Sequence, residues 1–162
     1  VTGCRMSELQ GFQWGDIDWE NGTITVNRVR VTISGGVVEK EHAKTAAGNR
    51  TISLPPTALK ILSKTKGNQN ERICSMSRDT IRLRLLKYEE AVGIQPFISP
   101  HDFRHYSVSL MHYAQVPKSF GMRRVGHITA KMYDEQYVNP IDDYERKFNN
   151  QVNEIIEDTF FK

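Results

Sequence analysis

The chain has 162 residues, of which 38% are hydrophobic, and a formal net charge of +3. This size is typical of one domain with a sizeable core, and the composition excludes a disordered chain. No apolar run approaches the roughly 20 residues that a membrane-spanning helix needs, and two cysteines are too few for a disulfide framework. We therefore expect a soluble globular domain from a reducing compartment, with Cys4 and Cys74 as small core residues.

The first third of the chain is predicted to form a small antiparallel sheet. A short helix is expected over residues 4–11, and Glu20–Gly22 is a turn signal because Asn-Gly readily takes positive φ. Thr23–Ile33 alternates imperfectly and predicts one strand, which turns at Gly35-Gly36. A further strand at Arg50–Leu54 stops at two prolines.

The rest of the chain is predicted to be helical. Helices are expected over Thr57–Lys64 and Asp79–Val92, and another begins at Ser99, a good N-cap that precedes proline. Residues 141–162 predict an amphipathic tail helix, since apolar residues recur there at three and four positions: Ile141, Tyr144, Phe148, Val152 and Ile155. The expected class is therefore α+β, mainly helical, with a small antiparallel sheet in the N-terminal half.

Charge is distributed unevenly along the chain. Acidic residues gather near the end, at Asp142, Asp143, Glu145, Glu154, Glu157 and Asp158, whereas the basic clusters lie earlier. This asymmetry favours a DNA-facing surface with the tail elsewhere, and a merely solvated basic surface is the alternative. The candidate DNA-binding residues are Arg28, Arg30, Lys40, Arg50, Arg82, Arg84, Arg123 and Arg124.

His101 and Arg104 form an HxxR pattern that would share one face in the first turn of a helix. The helix N-terminus favours a phosphate, and the planar guanidinium can hold two phosphate oxygens at once. A solvated helix face is the ordinary alternative. His105 pairs with His101 at i,i+4, but no third ligand follows at a suitable spacing, so we expect no metal site.

Three segments of the chain, in this order, resemble the tyrosine recombinases, the phage integrase family: TGCRMSELQGFQWGDID, PHDFRHYS and VGHITAKMYDEQYVNP. The resemblance implies the mainly helical catalytic domain of that family over residues 1–162. It also implies that the first helices of the domain, and an N-terminal DNA-clamping domain, precede this chain. The tail at 141–162 would pack either on its own domain or on a neighbouring protomer.

The resemblance also implies a catalytic set, which comprises Arg5, Lys44, His101, Arg104, His127 and Tyr137. The two arginines would clamp the scissile phosphate and the two histidines would flank it. Lys44 would be the general acid, with Lys40 as its competitor. Tyr137 would be the nucleophile, and the family's spacing from the Gly-His pair selects it over Tyr133.

The implied reaction is DNA cleavage and rejoining through a 3′-phosphotyrosine, which needs neither cofactor nor metal. The implied partners are double-stranded DNA at recombination sites, a homotetramer on that DNA, and accessory DNA-bending or directionality proteins, with no membrane. Such an enzyme would integrate or excise a phage or mobile element in the cytoplasm of a bacterial host. The alternatives are a catalytically silent DNA-binding relative and a type IB topoisomerase-like enzyme.

Overall fold

A computed structural model of the chain describes residues 2–33, 36–41 and 49–127, together with residue 131. The strands precede most of the helices, and the class is α+β, as predicted. The elements are α1 (Met6–Leu9), a 3-10 turn (Trp14–Asp16), β1 (Ile17–Asp18), β2 (Thr23–Val26), β3 (Arg28–Ile33), β4 (Gly36–Glu41), β5 (Arg50–Ser53), α2 (Pro56–Ser63), α3 (Arg78–Ala91), α4 (Pro100–Tyr113) and α5 (Lys118–Val125).

The prediction of one strand over Thr23–Ile33 was wrong. The segment forms two strands that belong to different antiparallel sheets, one of order β1-β2-β5 and one that pairs β3 with β4. Asn27 separates the strands, and its side-chain amide donates to the Asp16 carboxylate at 3.1 Å. The imperfect alternation in the sequence reflects this break.

The predicted helix starts and stops are close to those observed. Ser99 caps α4, because its Oγ accepts from the Asp102 N–H at 3.3 Å while the Asp102 carboxylate accepts from the Ser99 N–H at 2.7 Å. Gly93 ends the α3 segment with a φ of +72°. Two of the apolar residues of α3 are largely exposed, since Leu83 is 67% and Tyr88 is 66% exposed.

Two separate apolar clusters form the described core. The larger one joins the three-stranded sheet to the segment after α1, and it contains Phe12, Trp14, Ile17, Ile24, Val26, Ile52 and Leu54. The smaller one joins α4 to α5 through Val108, Met111 and Val125. Side-chain hydrogen bonds from arginines connect the two clusters, and these bonds build the site described below.

No helix in the described part is long and apolar enough to cross a membrane. The predicted tail helix at 141–162 lies outside the described residues.

Replacing Ser99 with alanine should lower the free energy of unfolding by about 1 kcal/mol, because the first turn of α4 loses its cap. Urea denaturation measures this change. The matched control is Ser119→Ala, at an exposed serine within α5, which should change the free energy far less. Equal effects of the two substitutions would contradict a capping role for Ser99.

Candidate active site

Arg104 is the most deeply buried cation of the site. Its residue is only 2% exposed, and its Nη1 donates to the Gly3 carbonyl oxygen at 2.6 Å. Its Nη2 is also buried and has no hydrogen-bond partner within the described residues. Burial, and then the charge of Arg5, lower the pKa of Arg104 to about 10. The guanidinium therefore stays protonated at neutral pH and would be stabilised by an anion.

Glycine at position 3 allows this close contact. Gly3 has a φ of +67°, and a Cβ there would lie 3.0 Å from both the Ser107 Oγ and a Val125 methyl group. The chain before α1 can therefore pack against α4 and α5 and present its carbonyl to Arg104.

Arg5 precedes α1 and reaches across the site to the end of α5. Its Nη1 donates to the Glu8 Oε1 at 3.1 Å, and its Nη2 donates to the Gly126 carbonyl oxygen at 3.1 Å. The side chain remains 39% exposed, so it contacts solvent as well as its protein partners.

Glu8 is fully buried and also binds Arg50 through both carboxylate oxygens, at 3.0 and 2.8 Å. Burial opposes the charge of Glu8, but the hydrogen bonds and charge of Arg50, assisted by Arg5, hold the pKa of the carboxyl below its usual value. Arg50 is itself only 8% exposed. The expectation of Arg50 as a surface cation for DNA therefore needs correction, since its guanidinium faces the interior.

His127 follows the end of α5. Gly126 takes a φ of +71° there, and the His127 N–H donates to the Met122 carbonyl at 3.0 Å. The histidine is 6% exposed. Burial, followed by the charges of Arg104 and Arg5, lowers the pKa of His127 to about 4. The imidazole is therefore neutral at physiological pH.

A cleft of about 510 Å³ opens this site to solvent. Its lining includes Arg5, His101 and Arg104, which the sequence predicted, and two further arginines, Arg78 and Arg82. None of its described lining residues is acidic. The structure thus brings the first arginine and the HxxR pair to one basic cleft.

His101 is exposed at the start of α4, and its ring packs edge to face on that of His105 with 4.5 Å between centroids. Burial, and then the charge of His101, lower the pKa of His105. In the described residues, no group of three or more His, Cys, Asp or Glu side chains has a geometry that could hold a metal ion.

The other predicted DNA-binding residues lie in different surroundings. Arg28 forms an ion pair with Asp16 at 2.6 Å and its side chain is only 19% exposed. Arg124 is half-buried and donates to the Ser53 carbonyl at 3.1 Å, and burial lowers its pKa. Arg30 is half-buried, whereas the remaining four are exposed: Lys40, Arg82, Arg84 and Arg123.

Arg78 was not among the predicted site residues. It occupies the first position of α3 and lies four residues before Arg82, so both project from one side of that helix toward the cleft. The i,i+4 spacing of the two arginines is the signal that could have indicated it. Lys44, Tyr133 and Tyr137 lie outside the described residues, so their predicted roles stay predictions.

The buried neutral state of His127 predicts a pH dependence of stability. An unfolded histidine titrates near pH 6.5 and the folded one near pH 4, so the unfolded state takes up the proton first as the pH falls. Stability should therefore be lost between pH 6.5 and pH 4, by about 3 kcal/mol. Urea unfolding at a series of pH values should show this loss, and His127→Gln should flatten it. Parallel pH profiles for the two proteins would contradict a buried neutral imidazole.

Comparisons with known proteins identify relatives of this chain. The chain is 24% identical to the integrase of Staphylococcus phage L54a over 177 aligned residues, which cover 96% of this chain and 50% of that protein. The structure resembles the Tn1549 transposon integrase in complex with transposon right end DNA, with a TM-score of 0.71 and 20% identity over 94% of this chain and 56% of that one. It also resembles XerA recombinase, with a TM-score of 0.71 and 20% identity over 93% and 52% of the two chains.

The chain spans about half the length of these relatives. At these identities the structural matches show a shared fold. The sequence model of the phage integrase family matches residues 1–143, which is most of the chain and includes all three motifs. The chain therefore belongs to the phage integrase family.

Proposed function

We propose that this chain is the catalytic domain of a site-specific recombinase that cleaves and rejoins double-stranded DNA. The observation that carries the proposal is the buried guanidinium of Arg104, whose Nη2 has no partner in the described residues, close to Arg5 and a neutral His127. A phosphodiester supplies the anionic oxygens that these donors need. A cleft with four arginines and no described acidic lining residue fits a polyanion better than a neutral ligand.

The proposed chemistry begins with in-line attack of the Tyr137 oxygen on the scissile phosphorus. The P–O bond to the 5′-oxygen breaks, and a 3′-phosphotyrosine forms. The phenolic proton leaves to a base or to solvent, with His101 as the candidate acceptor, while Lys44 donates a proton to the departing 5′-oxygen. A 5′-hydroxyl of the partner strand then attacks the phosphotyrosine and releases Tyr137, so no external energy source is required.

Arg5 and Arg104 would stabilise the charge that develops on the non-bridging oxygens of the phosphorane-like transition state. Such preorganised donors typically contribute ~10²–10³ in rate each. A neutral His127 can donate one further hydrogen bond to a non-bridging oxygen without adding charge. The buried setting strengthens each of these interactions because water competes less there.

The biological setting that we propose follows the relatives. An integrase of a Staphylococcus phage and a transposon integrase bound to transposon DNA both resemble this chain, which favours integration or excision of a phage or mobile element in the cytoplasm of a bacterial host. We include in the proposal a homotetramer on DNA, accessory bending or directionality proteins, and residues 141–162 as a tail that couples activity to assembly.

The full-length protein should form a covalent complex with a nicked duplex that carries the ends of the genetic element that encodes it. A denaturing gel would resolve this complex, and Tyr137→Phe should abolish it because the nucleophilic oxygen is lost. Tyr133→Phe is the matched control and should keep the complex. A protein that binds the duplex yet forms no complex would instead be a silent relative.

The cleft arginines predict a specific salt dependence of DNA binding. Arg82→Ala should reduce the slope of log K against log salt concentration by about 1, because one phosphate contact is lost. Arg84→Ala is the matched comparison, since Arg84 is exposed on the same helix but does not line the cleft. Salt titrations by fluorescence anisotropy measure both slopes. Equal reductions would indicate a diffuse basic surface instead of a cleft that binds phosphate.

A further inference from the structure

Arg50 connects three elements that carry the site, although it does not line the active-site cleft itself. It begins β5, its two terminal nitrogens bind the Glu8 carboxylate at 3.0 and 2.8 Å, and its Nε donates to the Arg124 carbonyl at 2.8 Å. We propose that Arg50 is a positioning residue, which acts through Glu8 on Arg5 and through the end of α5 on His127. This inference rests on the proposed recombinase function.

The pair of Arg50 and Glu8 affects the charge balance at Arg5. The Glu8 Oε1 accepts from Arg50 and from Arg5, at 3.0 and 3.1 Å. Arg50 binds both oxygens and balances the single negative charge of Glu8. The positive charge of Arg5 is therefore left uncompensated and can attract a substrate phosphate. Without Arg50, the buried carboxylate would retain Arg5 as its counter-ion and would compete directly with the phosphate.

Arg50 also fixes the geometry at the end of α5. Arg50 binds the Arg124 carbonyl, and the Arg124 guanidinium returns to the Ser53 carbonyl on β5 at 3.1 Å. These two bonds fix the last turn of α5 to β5, just before Gly126 and His127. The Gly126 carbonyl also accepts from Arg5, so the position of this turn sets both Arg5 and His127.

A purely structural ion pair is the competing explanation, because breaking any buried pair destabilises a protein. The two explanations differ in how they depend on the charge of the substrate. A cation stabilises the negative charge of the phosphate. Removal of the cation should therefore slow cleavage much less when one non-bridging oxygen is replaced by a methyl group, because that substrate is neutral. General loss of structure should slow the cleavage of both substrates equally.

The test uses single-turnover cleavage of two nicked duplexes that differ only at the scissile position, one with a phosphodiester and one with a neutral methylphosphonate. The variants are Arg5→Ala, Arg50→Met and Arg50→Lys, each in the full-length protein. Arg50→Lys keeps the charge but loses the two-pronged contact with Glu8. It replaces Arg50→Met in the test if that variant fails to fold. Asp16→Asn is the matched control, since Asp16 is buried and pairs with Arg28 away from the cleft.

We expect Arg5→Ala to slow phosphodiester cleavage by ~10²–10³ and methylphosphonate cleavage far less. Arg50→Met should show the same selectivity with a smaller loss, on the order of tenfold, and should add little when combined with Arg5→Ala. Arg50→Lys should show this selectivity to a lesser degree, because its single amine keeps the charge but cannot bind both Glu8 oxygens. Asp16→Asn should leave the ratio of the two rates unchanged.

Equal losses on the two substrates, or losses that multiply with Arg5→Ala, would overturn the positioning role. If the wild-type protein cleaves neither duplex, or if Arg5→Ala itself shows no selectivity, the proposed function fails instead. Selectivity in Arg5→Ala without selectivity in the Arg50 variants contradicts only the present inference.

Discussion

The carboxylate of Glu8 is the feature on which the rest of the described site depends. It is fully buried and receives hydrogen bonds from Arg5 and from both terminal nitrogens of Arg50. An isolated buried carboxylate would be strongly destabilising, whereas this one is compensated by two cations. The resulting group has one positive charge in excess, and the partly exposed Arg5 is the member of it that lines the cleft.

The same polar network connects two apolar clusters that share no buried residue. One cluster belongs to the sheet and the other to α4 and α5. The links between them are arginine side chains that donate to main-chain carbonyls: Arg5 to Gly126, Arg50 to Arg124, Arg104 to Gly3 and Arg124 to Ser53. Side chains of this kind fix backbone positions directly. The site is therefore held by the same bonds that hold the fold together.

Electrostatic repulsion within the site is consistent with an anionic ligand. Burial and the neighbouring cations lower the pKa values of Arg104 and His127 to about 10 and about 4. These groups lie beside a cleft whose described lining is basic. In the proposed function, a bound phosphate would relieve this repulsion.

The sequence alone determined the elements whose signals are local. Ser99 and Pro100 specified the start of α4, His101 and Arg104 were correctly predicted to lie on one helix, and the ordered motifs indicated the family. Tertiary structure decided what depends on distant partners. It separated β2 from β3 at Asn27, placed Arg78 in the cleft, and moved Arg50 from the expected surface into the interior. Glu8 and Arg50 lie 42 residues apart, and only the tertiary fold brings them together. A charge count along the chain cannot show whether an arginine meets solvent or a buried carboxylate, because only packing decides which groups lose water.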